Sequence, residues 1–471
     1  MNTECTAGQL EFHGLKRRRV VGRFDGGRIS SDGGGLLLRE VERRTHILKR
    51  LAACFVDHRD ADQIEHSVES LVKQRVMGLA LGYEDLNDHD ALRHDPLLAV
   101  LSDRRDPLGT MRKRDADKGC ALAGKSTLNR LELTPWDADA ASRYKKIVAR
   151  PEAMDDLLVD VFLEAYATPP AEIILNVDAT DDPLHGHQEG RFFHGYYRSY
   201  CYLPLYIFCG EHLLCARLRE ANQDGAAGTV EELERIIKRI RVRWPQTRMI
   251  VRGDSGFCRE ELMGWCEAHG IDYVVGFAKN ERLKAAIAEQ MVMAKAQYEA
   301  SQQAARVFRD FRYRTRKSWS RERRVIGKAE YLAKGENPRF IVTSLPTEHM
   351  DARTLYEELY CGRGDMENRI KEQQLALFAD RTSTHTMRAN QLRLYFSSFA
   401  YVLMHALRRL GLKGTAMGKA QCDTIRLKLF KIGAHIRISV RRVWIAFSES
   451  YPYADLFQEI LRHLHRIPLR C

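Results

Sequence analysis

Apolar residues are spread along this chain in two ways, and the change falls near residue 170. Before it, they recur at helical spacing within polar sequence, as Val68, Leu71, Val72, Val76 and Leu79 do over about 66–82, with a second pattern over about 88–102. Ser30, Ser31 and Asp32 precede the run Leu36-Leu-Leu-Arg-Glu and are predicted to cap a helix beginning near Gly35. After residue 170, short continuous apolar runs take over, as strands buried on both faces require. They are Ile173–Asp178, Tyr202–Cys209, His212–Leu218, Met249–Val251 and Ile271–Phe277. Gly210-Glu211 predicts a hairpin between the second and third. Thr229–Arg243 carries Val230, Leu233, Ile236, Ile237 and Ile240 on one helical face, and Arg259–His269 reads as a helix closed by Gly270.

Strand, hairpin, helix, strand, helix, strand is the element order of the ribonuclease H-like fold, an α/β class with a mixed sheet flanked by helices. In that fold the first and fourth strands are neighbours, so the residues ending them meet at the carboxyl edge of the sheet, where open α/β sheets place ligand sites. Past Phe277 a helical stretch gives way to basic, strand-like sequence: Ala305–Arg314, Arg321–Gly327 and Pro338–Thr343. Four regions are expected: a helical DNA-binding region (1–165), the core (166–279 and 338–400), an inserted basic helix/β subdomain (280–337) and a helical C-terminal region (401–471).

Composition narrows the function. No run of about 18 apolar residues exists that could span a membrane, and Met1–Thr6 lacks the basic-then-apolar pattern of an export signal. Eleven cysteines stand singly with no Cys-x-x-Cys, which argues against zinc and predicts reduced thiols in a cytoplasm, beside the nucleoid. A net charge of +12 favours polyanionic partners. Lys16, Arg17, Arg18 and Arg19 form a basic N-terminal segment, and Arg104-Arg105 with Met111–Arg114 a second cluster. A helical DNA-binding module and a solvated basic linker both account for that second cluster.

Three carboxylates are the candidate chemistry. Asp178 and Asp254 end apolar runs; Glu367 lies on a helix that places Tyr360, Arg363 and Gln374 on its own face, with Lys371 one turn beyond. Such a set suits two Mg²⁺ ions (or Mn²⁺) about 3.5–4 Å apart, which clamp the attacking and leaving oxygens of a phosphodiester. Asp181 and Asp182 compete with Asp178; strand alternation and the end of the apolar run favour Asp178. Arg252 and the glycines around Asp254 allow a phosphate backbone to approach. Gly119–Ser126 fits the phosphate-loop pattern, but the charged residues before it cannot form the strand that motif needs. His185 and His187 read as loop histidines.

These blocks, in this order, resemble the bacterial insertion-sequence transposases with an Asp-Asp-Glu triad, within the group marked by a Tyr-(2)-Arg-(3)-Glu-(6)-Lys signature and a β insertion. Tyr360, Arg363 and Glu367 match; Gln374 replaces the Lys, and Lys371 is the candidate substitute. The resemblance covers roughly 170–395. It implies that Asp178 bridges two metal ions while Asp254 and Glu367 each bind one. It also implies hydrolysis at the element's ends, joining of the freed 3′-OH to target DNA, recognition of terminal repeats in double-stranded DNA, and a homodimer in the synaptic complex. Related enzymes stack a flipped base on a Trp of the insertion, for which Trp319 is the candidate; packing over a hairpin explains Trp319 equally. A metal-dependent nuclease without strand transfer and a non-catalytic DNA-binding derivative are the alternative functions.

Overall fold

The computed structural model describes residues 8–470. The Met1–Thr6 stretch, with Cys5, and Cys471 lie outside the described residues; the nine cysteines within carry thiols, not disulfides. The chain is mixed α/β and forms two compact units, Ala149–His405 and a second made of Met1–Val148 with Ala406–Cys471.

The Ala149–His405 unit is built on a nine-stranded mixed sheet. Helix α1 (Pro151–Glu164) leads to strand β1 (Glu172–Ala179). The hairpin β2 (Leu205–Cys209) and β3 (His212–Arg217) turns at Gly210, whose φ of +57° suits a glycine. Then come α2 (Thr229–Arg243), β4 (Arg248–Gly253), α3 (Glu260–Ala268) and β5 (Asp272–Phe277). The strands lie in the order β3-β2-β1-β4-β5, with β1, β4 and β5 parallel and β2 antiparallel to both its neighbours. Both faces are covered. Leu175, Val177, Val251 and Val275 face one apolar cluster, and Ile250 and Val274 face another completed by Leu355 and Leu359. This double burial is why the strands read as unbroken apolar runs. The predicted run Tyr202–Cys209 is broken at Pro204: Ser199–Tyr202 belongs to a separate three-stranded sheet, and only Leu205–Cys209 joins the large one.

The basic insertion differs from the expected subdomain. After α4 (Ala288–Ser301) come β6 (Ala305–Tyr313), β7 (Arg323–Leu332) and β8 (Arg339–Thr343). β8 pairs antiparallel with β5, β7 with β8, and β6 with β7, so the insertion continues the main sheet instead of forming its own. β5 would otherwise be an apolar edge strand. Helix α5 (Gly364–Leu377) follows and packs against β1.

The other unit joins the two ends of the chain, which were expected as separate regions, and neither end is wholly helical. Residues Leu10–Leu15 and Arg18–Gly22 form an antiparallel hairpin, and Ala434–Ile438 and Val443–Phe447 form another, to which Ile29–Ser30 adds a third strand. The helix expected near Gly35 is Leu36–Thr45, with no side-chain cap; Asp32 instead accepts hydrogen bonds from Tyr83 Oη (2.6 Å) and Lys431 Nζ (2.6 Å). That helix packs on Ala454–His465. Helix Val68–Leu81 lies where its pattern predicts, whereas the one expected over 88–102 breaks into Asp88–Leu92 and Pro96–Leu101 at the proline. No strand precedes Gly119–Ser126, and Lys125 sits at the start of a helix, paired with Asp90 at 3.2 Å.

Candidate active site

Strand register brings two of the three candidate carboxylates side by side. In the parallel β1–β4 pair, Asn176 stands opposite Arg252 and Val177 opposite Gly253, so the next residues, Asp178 near the end of β1 and Asp254 just past the end of β4, lie at the same level. Neighbouring strands are about 4.8 Å apart. Burial pushes the Asp178 carboxyl up to about 7, and repulsion from Asp254 adds to it, while Arg363 opposes the rise. Asp254 Oδ1 accepts a hydrogen bond from the Gly256 amide at 2.8 Å, which fixes the turn after β4.

Glu367, in the first turn of α5, is linked to this pair through Arg363. The guanidinium lies 2.8 Å from Glu367 Oε1 and 3.5 Å from Asp178 Oδ2, so one cation joins strand carboxylate to helix carboxylate. Tyr360 approaches from the same segment. A Cβ on Gly276 of β5 would fall 2.6 Å from its Oη and 2.8 Å from the Ser255 amide, so only glycine leaves room for the phenol beside the turn after Asp254. Burial raises the Tyr360 hydroxyl's pKa. Lys371 is exposed one turn beyond Glu367. Gln374, in place of the signature Lys, donates from Nε2 to the Asp181 carbonyl at 3.1 Å and anchors α5 to the loop after β1. The competing Asp182 is buried in the three-stranded sheet, where burial and the nearby Asp380 and Asp181 carboxylates raise its pKa.

Three expected DNA contacts are placed differently. Arg252 is only 8% exposed and is committed within the protein. It donates to Asn176 Oδ1 (2.6 Å), to the Gly362 carbonyl (3.0 Å) and to the Leu359 carbonyl, tying β4 and β1 to the segment that presents Tyr360 and Arg363. A Cβ on Gly362 would meet Arg252 Nη1 at 2.7 Å, so a side chain there would displace the guanidinium from these carbonyls. Sequence reasoning missed this strut: its acceptors are carbonyls more than 100 residues away in the chain. Trp319 is 5% exposed, stacked on Phe277 (4.9 Å between centroids) with its edge toward Tyr313, so neither face is open to a base. Arg19 pairs with Glu11 on the N-terminal hairpin, while Lys16 and Arg17 form its exposed turn and Arg18 begins the second strand.

A family model described as "Transposase DDE domain group 1" matches residues 12–469, nearly the whole chain. The chain belongs to this transposase family. No curated protein matches it. Membership makes this a transposition enzyme with DNA as its partner, and DDE transposases in general use divalent metal ions. No described helix is long and apolar enough to cross a membrane. Among the described residues of the transposase, no group of three or more His, Cys, Asp or Glu side chains stands arranged to hold a metal ion. The donor chemistry nevertheless fits one: hard carboxylate oxygens suit Mg²⁺ or Mn²⁺, and Asp178 and Asp254 stand close enough to repel each other.

Proposed function

We propose that this transposase binds the terminal repeats of an insertion sequence, cleaves the ends and joins the freed 3′-OH to target DNA, with Asp178, Asp254 and Glu367 as its acidic triad. The strand order β3-β2-β1-β4-β5, with its antiparallel β2, supports a ribonuclease H-like core. The observation that carries the reading is the β1–β4 register that levels Asp178 with Asp254, together with the Arg363 link to Glu367.

Asp178, Asp254 and Glu367 would hold Mg²⁺, with Mn²⁺ as substitute; the ions supply Lewis-acid activation of the attacking oxygen and charge neutralisation at the leaving one. The chain's own residues do the rest. Arg363 pairs with Asp178 and Glu367, and its guanidinium has the fork geometry to turn onto a DNA phosphate. Tyr360 lines the same edge, and exposed Lys371 extends the cationic side of the helix along the DNA backbone. Lys16, Arg17 and Arg18 offer a second phosphate contact from the N-terminal hairpin. Joining two element ends calls for two copies of the chain on DNA.

The test is DNA cleavage and joining with Mg²⁺ or Mn²⁺ on duplexes ending in the flanking element's repeats, comparing wild type with Glu367→Ala. Cleaved and joined products from wild type, with neither from Glu367→Ala, are expected. Cleavage without joining makes the chain a nuclease; equal binding by both proteins without cleavage makes it a non-catalytic DNA-binding protein.

A further inference from the structure

The hairpin Ala434–Ile438/Val443–Phe447 has two unlike faces. Its register pairs Ala434 with Phe447, Ile436 with Ile445 and Ile438 with Val443 on one side, and His435 with Ala446 and Arg437 with Trp444 on the other. The first side is apolar and anchored: Ala434 and Ile436 are buried, and Phe447 packs on Phe457 at 5.5 Å between centroids. The second side is open. Trp444 is 55% exposed, and Arg442, two residues earlier on the same face, lies 5.7 Å from its ring centroid. Val440 and Arg441 form the turn, where Val440 is fully exposed.

Charge identifies what this face meets. The segment 434–447 contains three arginines and no acidic residue. Among the described residues, Arg437, Arg441 and Arg442 have no carboxylate within ion-pair distance, unlike Arg306, Arg321, Arg323 and Arg324 of the insertion. A large aromatic ring left in water beside three unpaired guanidinium groups is complementary to a polyanion with flat apolar surfaces. A two-stranded ribbon fits the major groove of duplex DNA.

We propose that this hairpin is a DNA-contacting ribbon, with Arg437, Arg441 and Arg442 on phosphates and Trp444 packed against sugar or base. This rests on the reading of the chain as a transposase that binds duplex DNA, and it adds a contact surface outside the acidic site.

The experiment titrates full-length protein with a 5′-labelled duplex of arbitrary sequence at several salt concentrations. It compares wild type, Arg437→Gln/Arg441→Gln/Arg442→Gln, and Trp444→Ala, with thermal melting as a check on folding. The arginine variant is expected to lose at least about tenfold in affinity near 0.1 M salt. Its slope of log affinity on log salt should flatten by nearly 3, about 0.9 per phosphate contact. Trp444→Ala is expected to bind severalfold more weakly with the slope unchanged. Wild-type affinity and slope in both variants would overturn the proposal while leaving the transposase reading intact. If wild type binds no duplex at all, the DNA reading falls with it. A change in oligomeric state by light scattering, with DNA binding unaltered, would assign the face to a second copy of the chain and equally overturn the proposal.

Discussion

The insertion and the C-terminal hairpin are both arginine-rich antiparallel ribbons with a single tryptophan, yet they hold these residues in opposite ways. In the insertion, Trp319 is buried against Phe277, and Arg323, Arg324 and Arg306 are paired with carboxylates. Arg323, 2% exposed, meets Glu260 at 2.6 Å and Glu267 at 2.7 Å; Arg324 meets Asp310, and Arg306 meets Glu330. In the hairpin, Trp444 faces water and its arginines have no acidic partner. The difference is set by carboxylates: Asp310 and Glu330 are interleaved in the insertion, α3 supplies Glu260 and Glu267, and the hairpin has none. A count of basic residues therefore says little about DNA contact until the carboxylates within reach are subtracted.

Substitutions sharpen the contrast. Trp319→Ala is expected to cost about 3–5 kcal/mol in the unfolding free energy of the Ala149–His405 unit, as for other large buried aromatics; a loss under about 1 kcal/mol in urea denaturation would place its ring at the surface. Arg323→Ala should cost about 3 kcal/mol, because it removes the buried guanidinium that bridges Glu260 and Glu267 and leaves Glu267 only the more distant, exposed Arg321 at 3.3 Å as a cation. Its DNA affinity per folded molecule should be unchanged, and a salt-dependent drop would return the insertion to the DNA-binding surface.

Asp178 is the converse case, a buried carboxylate beside another carboxylate, which Arg363 only partly offsets. Its pKa of about 7, against an ordinary 3.8, means the folded chain binds a proton that the unfolded chain releases. The ionised form thus opposes folding, and its stability contribution is lost as pH rises from about 4 through 7. In chelator, Asp178→Asn is expected to be more stable than wild type by roughly 1–2 kcal/mol at pH 8, with the gap closing by pH 4. A gap that does not vary with pH would refute the burial and repulsion behind it. The smallest effect belongs to Trp444→Ala, whose stability should lie within about 0.5 kcal/mol of wild type, as for other exposed substitutions.

Much of the sheet could be read from the chain because its central strands are covered on both faces. Apart from the paired Asn176 and Arg252, Ile173–Asp178 and Met249–Asp254 are apolar or glycine until their last residue, and that turning point marks Asp178 and Asp254. What escaped the sequence depends on distant partners. The role of Arg252 rests on carbonyls at 359 and 362, and the need for glycine at 276 rests on the Tyr360 hydroxyl. The terminal hairpins were missed for a different reason. Leu10–Leu15 and Arg18–Gly22 are exposed on nearly every residue, so no alternation of buried and open positions marks them. In Ala434–Phe447 the alternation is present, but its outer face mixes Trp with Arg and hides the period.

The pairing of β8 with β5 and of β7 with β8 also bears on how the chain avoids sticking to its own copies. Removing β6 and β7 would turn Phe340-Ile-Val-Thr343, an interior strand, into an open apolar edge, a ready template for strand addition from another molecule. As built, the sheet ends on β6, where Arg306, Arg309, Asp310 and Arg312 lie along the outermost strand. An intruding strand would have to bury those charges, so this arginine-rich rim guards the transposase against aggregation.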